Sequence, residues 1–232
     1  RPNDAQPKTA LTSLMIASAM GHTKAVDLLL DNGANPNLAD ANGYTSLHRV
    51  VRDSDYGIDL GSKDAVLTIV NSLLKYGANP NVRLSQDKEK AAEEIRNGNV
   101  ATYEKRTAVT VTEIVLQGAT PLFLAAEVNN LDVIKALVEA GADPLIASER
   151  GTTPLMMAAG AGTDVQRERA PEERAVALET AKFLVERGAD VNAAGQYGWT
   201  ALHAAAYQGL NDLIEYLVTK GAKIDQKDEF GQ

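Results

Sequence analysis

The sequence predicts an all-α repeat solenoid, in which short helical hairpins stack side by side, and three observations carry that prediction. A Thr-x-Leu or Thr-Pro-Leu element recurs five times, each followed one helical hairpin later by Gly-Ala and then Asn, Asp or Lys. The copies run Thr12-Ser13-Leu14 to Gly33-Ala34-Asn35, Thr45-Ser46-Leu47 to Gly77-Ala78-Asn79, Thr120-Pro121-Leu122 to Gly141-Ala142-Asp143, Thr153-Pro154-Leu155 to Gly188-Ala189-Asp190, and Thr200-Ala201-Leu202 to Gly221-Ala222-Lys223. The step from Thr12 to Thr45, and from Thr120 to Thr153, is 33 residues, a fixed period of the length that marks stacked repeats. Runs such as Val26-Asp27-Leu28-Leu29-Leu30 and Ile214-Glu215-Tyr216-Leu217-Val218 place apolar residues at helical spacing ahead of Gly-Ala. Function in such an array belongs to a stacked surface rather than to an enclosed pocket.

Each element has its own local cause. Every Thr suits the N-cap of a first helix, where its hydroxyl accepts an orphan backbone N–H, and Pro121 and Pro154 fall at the first helical position, where a missing N–H costs nothing. The second helix ends at Gly33, Gly77, Gly141, Gly188 or Gly221, each placed for a left-handed cap. Repeats one, three and five keep the standard length. Thr45 to Gly77 is 32 residues where Thr12 to Gly33 is 21, so 11 extra residues, about 53–63, form an inter-helix loop in repeat two. Asn81 to Thr120 is 39 where Asn37 to Thr45 is 8, which places a 31-residue insertion, about 83–114, between repeats two and three. Thr153 to Gly188 is 35 against 21, adding 14 residues within about 161–175.

The stretches Gly198 to Asp225, GWTALHAAAYQGLNDLIEYLVTKGAKID, and Gly118 to Pro144, GATPLFLAAEVNNLDVIKALVEAGADP, are similar to the ankyrin-repeat family, and the chain resembles that family, as a bacterial-type array with unusual insertions, over about three quarters of its length. The resemblance implies antiparallel helix pairs stacked in an L-shaped solenoid with β-turn fingers along one edge. One domain, 1–232, is expected, with repeats at about 7–39, 40–82, 115–147, 148–194 and 195–227 and the start of a sixth at 228–232. More chain is expected beyond Gln232, and Arg1 in place of Met leaves an upstream segment open.

The resemblance also implies a protein partner on the concave face, made of finger tips and the exposed side of the first helices. By register, the expected contact residues are Tyr44 and Trp199 just before Thr, Arg150, Tyr197 and Phe230 in the fingers, and Arg52, Glu127, Tyr207 and Gln208 where first helices close. Only 5% of the chain is aromatic, and interface hot spots favour Trp, Tyr and Arg, so aromatics gathered near repeats five and six point to a contact surface there.

The insertions add further expectations. Ser85 to Asn97, SQDKEKAAEEIRN, has the composition of a solvated helix stopped by Gly98, while Thr107 to Leu116, TAVTVTEIVL, favours a strand. Paired with Asn81 to Leu84, that strand would make an extended β-hairpin, whose edge could join a partner strand or a second copy of the chain. The repeat-two loop spaces Asp53, Asp55, Asp59 and Asp64 like a calcium loop, but Ile58 stands where the sharp turn needs Gly and no Glu closes it. A solvated acidic loop is the stronger reading, and no cofactor is expected. In repeat four Pro171 opens a second helix that starts early, and the mixed charges of Arg167 to Arg174 suit a solvated surface.

Composition excludes whole classes of function. A net charge of -8 with a pI near 5 gives no bulk attraction to nucleic acid. No apolar run approaches the length of a membrane span. The absence of cysteine removes disulfides, thiolate metal sites and a cysteine nucleophile. It also tilts the compartment toward an extracytoplasmic one, periplasmic or secreted. His48 and His203 sit in Thr-x-Leu-His elements and His22 in Gly21-His22, none beside a nucleophile in triad order. The expectation is a non-catalytic protein–protein interaction module; the alternative is a regulatory or spacer domain of a larger, even catalytic, multidomain protein.

Overall fold

A computed structural model describes residues 11–40, 43–53, 63–84, 116–161 and 169–229. Five helical hairpins occur in these segments: α1 (Ser13–Ala19) with α2 (Thr23–Asp31), α3 (Ser46–Asp53) with α4 (Lys63–Lys75), α5 (Pro121–Glu127) with α6 (Leu131–Glu139), α7 (Pro154–Ala158) with α8 (Pro171–Glu186), and α9 (Ala201–Tyr207) with α10 (Asn211–Thr219). The inner helices α1, α3, α5, α7 and α9 stack in chain order, and so do the outer helices α2, α4, α6, α8 and α10. Neighbours in sequence are thus neighbours in space along the whole array.

The repeated residues do the work that their chemistry suggests. Thr12, Thr120, Thr153 and Thr200 accept the N–H of Met15, Phe123, Met156 and His203 at 3.1–3.4 Å. The five Gly-Ala glycines have φ between 84° and 96°, a left-handed conformation that a Cβ would strain. Leu73, Leu137, Leu184 and Leu217, each four residues before its glycine, are fully buried. Burial of each such side chain contributes about 1.5–3 kcal/mol. One continuous core runs from Leu14 through Leu47, Phe123 and Met157 to Leu217.

The fingers form a second, hydrogen-bonded spine. Asp40 N–H donates to the Tyr44 carbonyl at 3.0 Å, Ser148 to Thr152 at 2.8 Å, and Gly195 to Trp199 at 2.8 Å, closing each turn. Adjacent fingers are tied in turn: Glu149 N–H donates to the Gln117 carbonyl at 2.8 Å, Gln196 to Arg150 at 2.7 Å, and Glu229 to Tyr197 at 2.8 Å.

The finger carrying the long insertion is closed in the same way. Leu84 N–H donates to the Ala119 carbonyl, and Gly118 N–H donates to the Leu84 carbonyl, both at 2.9 Å. Leu84 and Ala119 are 35 positions apart where Asp40 and Tyr44 are 4 apart, which leaves 31 residues outside a standard turn. The expected β-hairpin finds no support. Among the described residues there is no strand, and Leu84, assigned to pair with Thr107–Leu116, is engaged by Gly118 and Ala119 instead. The rest of that segment, with the expected Ser85–Asn97 helix, lies outside the described residues.

The other two surpluses divide between helix and loop. The outer helix α4 has 13 residues where α2 has 9, so four of the 11 extra residues lengthen a helix by a turn rather than joining the loop. The outer helix α8 has 16 residues and begins at Pro171 as its N1 position, with Glu173 accepting the Ala170 N–H at 2.9 Å.

Candidate protein-docking face

Residues at the expected contact positions fall into two groups. In repeat two, Tyr44 is only 6% exposed. Its ring lies beneath the guanidinium groups of Arg49, 4.6 Å from the centroid, and Arg52, 5.2 Å away, and its hydroxyl accepts from Arg52. Arg49 is in turn paired with Asp40. The surface here is therefore a cationic layer laid on a tyrosine, with Arg52 half-buried and Tyr44 underneath.

In repeat five the aromatic residues form the surface themselves. Trp199 is stacked on His203 with ring centres 6.1 Å apart and meets Tyr207 edge-on at 5.9 Å. All three are half-buried. The Trp199 indole N–H is buried and has no acceptor among the described residues. Ala204 occupies the position that Arg49 holds in repeat two, so that position lays no guanidinium over the indole.

Between these groups the inner helices change character. Glu127 follows Arg52 by register and is half-buried. Gly160 takes the equivalent position in repeat four, with φ 94°, because α7 ends early. Gln208 from repeat five reaches back and donates to the Gly160 carbonyl at 3.2 Å, filling the space that a side chain would need. Arg150 and Tyr197 sit half-buried in the fingers, where their carbonyls take the inter-finger bonds. Tyr197 has a φ of 65°. Phe230 lies outside the described residues, as do Asp55 and Asp59; Asp64 is exposed near the start of α4. No cluster of metal-binding side chains occurs among the described residues.

His48 and His203 each bond the Thr that opens their helix. His48 is fully buried, and its Nδ1 accepts the Thr45 N–H at 3.2 Å and the Thr45 hydroxyl at 2.9 Å. The proton thus sits on Nε2, toward the backbone of Val82 and Ala119 in the next finger. Burial lowers the pKa to about 4, against the opposing pull of those backbone groups and of Asp40.

The sequence reading missed a set of clamping asparagines. Asn37 donates to the Gly77 carbonyl at 2.8 Å and accepts the Asn79 N–H at 2.7 Å. Asn81 does the same to Gly141 and Asp143, and Asn192 to Gly221 and Lys223. Their signal was present: an Asn two places after the Asn or Asp that follows Gly-Ala.

The stacked hairpins, the finger spine and the surface along the inner helices define a repeat scaffold. The sequence pattern of the ankyrin-repeat family, described as three-copy ankyrin repeats, matches residues 2–84, 91–168 and 173–228, and the chain belongs to that family. It is also similar to ankyrin repeat protein FPV031 of Fowlpox virus (strain NVSL), 27% identical over 127 residues. That match takes in 55% of this chain and 26% of the viral protein, so the chain spans about a quarter of the length of that relative. Ankyrin repeats generally mediate protein–protein interaction, and no helix among the described residues is long and apolar enough to cross a membrane.

Proposed function

We propose that the chain is a non-catalytic recognition module whose partner protein docks on the finger and inner-helix face, with its anchor at the Trp199–Tyr207 corner. The observation that carries this reading is the half-exposed aromatic corner of Trp199, His203 and Tyr207. These rings are left half-exposed, whereas Tyr44 in the equivalent finger position is buried beneath Arg49 and Arg52. Large aromatic side chains of this kind are among those that most often carry the binding energy of an interface. Arg52, Glu127, Arg150, Tyr197 and Gln208 supply the polar surroundings of that anchor, as the rim of an interface does.

The test is affinity. A partner captured by the immobilised chain should bind Trp199→Ala at least about tenfold more weakly, the loss typical of a hot-spot truncation. Deletion of Gln86 to Thr112 in a second variant separates a contribution of the insertion from that of the aromatic corner. Unchanged affinity in both variants would rule the reading out.

A second reading is supported by the length of the viral relative. A chain matching about a quarter of a longer ankyrin-repeat protein suits a regulatory or spacer segment, in which the same face would bind another part of its own protein. Comparing binding in trans with a chain joined to its natural flanking segments distinguishes the two.

A further inference from the structure

We propose that the array carries a hinge between its third and fourth repeats, with the inner helices and fingers as its axis and the outer helices as the side that opens. Two independent features of the outer side meet at this joint. The first is the missing clamp. Asn37, Asn81 and Asn192 each fasten one repeat to the next through two hydrogen bonds, but the same position in repeat three is Leu145. A leucine side chain can neither donate to the Gly188 carbonyl nor accept the Asp190 N–H, and Leu145 itself is 55% exposed.

The second feature is the packing of the outer helices. Contact between α6 and α8 is sparse, as it is between α8 and α10, where Asn192 supplies the clamp, while α2 with α4 and α4 with α6 pack more closely. The joint between repeats one and two shows what a fastened outer side looks like. There Ser72 donates to Asp27 at 2.7 Å and Tyr76 donates to Asp31, in addition to the Asn37 clamp.

The inner side of the same joint is closed. Leu122, Phe123, Leu124 and Ala125 of α5 are at most 1% exposed, and they face Leu155, Met156 and Met157 of α7, which are almost as deeply buried. Asn129 donates to the Ala158 carbonyl at 3.2 Å, and Glu149 N–H donates to the Gln117 carbonyl at 2.8 Å. A joint tight on one side and unfastened on the other bends about the tight side. Its opening changes the curvature of the concave face midway between Arg52 and Trp199. Only this last consequence draws on the docking face proposed above; the hinge itself does not.

The chain has no cysteine, so pairs of spin labels can be placed without background. Lys75, Glu139 and Glu186 are exposed and stand at equivalent positions, two residues before Gly77, Gly141 and Gly188. Labels on Lys75→Cys with Glu139→Cys span the clamped joint, and labels on Glu139→Cys with Glu186→Cys span the unclamped one. The second pair is expected to give the broader distance distribution in the full chain. Adding Leu145→Asn narrows it to match the first pair, and adding Asn81→Leu broadens the first pair in the same way. Equal widths across the two joints would overturn the hinge, as would a Glu139–Glu186 distribution that Leu145→Asn leaves broad. Both readouts are of shape, so a failure of partner binding at Trp199 would leave this result standing.

Discussion

His48 shows how one residue ties the fold to pH. Its folded pKa lies near 4, below the ordinary 6.5, because the buried pocket disfavours the charged ring. The neutral form is therefore the one that the fold stabilises. That stability is complete above pH 6.5 and is lost as pH falls toward 4, by roughly 3 kcal/mol in all. Urea midpoints measured across this interval should drop for the wild type, and the drop should be shallower for His48→Gln, which has no ring to charge. Parallel profiles for the two proteins would show that another group governs the acid limit. The same scale explains why register alone does not show that Tyr44 is buried. Its position before Thr marks a finger residue, as it does for Trp199, but the exposure of that residue depends on the side chains five and eight places downstream. Arg49 reaches over the Tyr44 ring, 4.6 Å from its centre, and Arg52 covers its hydroxyl, whereas Ala204, in the Arg49 position, has no guanidinium to lay over Trp199.

At the scale of the element, the sequence located helices well and divided the surplus residues less well. Caps are local: Thr at the start and a left-handed Gly at the end specify a hairpin from a few side chains, and the structure contains those hydrogen bonds. How far a second helix extends backward is not local. The helix α4 gains a turn because Ala65 and Val66 continue its apolar face, with Val66 4% exposed, and no Gly or Pro interrupts Lys63 to Leu67. The asparagine clamps show in the sequence as a recurring Asn, but what they do is not local, since each acts on the backbone of the next repeat. They carry a prediction. Asn81→Leu removes two hydrogen bonds, to the Gly141 carbonyl and from the Asp143 N–H, and should lower the unfolding free energy by about 1–2 kcal/mol. Urea unfolding with an unchanged slope measures this; a loss below a few tenths would mean that water replaces the clamp at no cost.

At the scale of the whole molecule, stability is a sum of repeats and the joints between them, so a segment that joins no repeat to its neighbour should be dispensable for folding. Residues 85–115 are the 31-residue surplus over a standard finger, and the prediction is that the array stands without them. Their removal leaves Leu84-Leu116-Gln117-Gly118, the same spacing as Asp40-Ala41-Asn42-Gly43 in the first finger. The bonds from Leu84 to Ala119 and from Gly118 to Leu84 are already those of a standard finger, and the Gln117 carbonyl that receives Glu149 is retained. The shortened chain is thus expected to fold with unchanged helix content by circular dichroism. It should also gain up to about 2 kcal/mol, because closing a turn over 4 positions costs less chain entropy than closing one over 35. Loss of the cooperative transition would show instead that the insertion supports the array. If the fold survives and affinity for a captured partner falls while Trp199 is intact, the insertion acts as a second contact of the docking face, added to a scaffold that does not need it to stand.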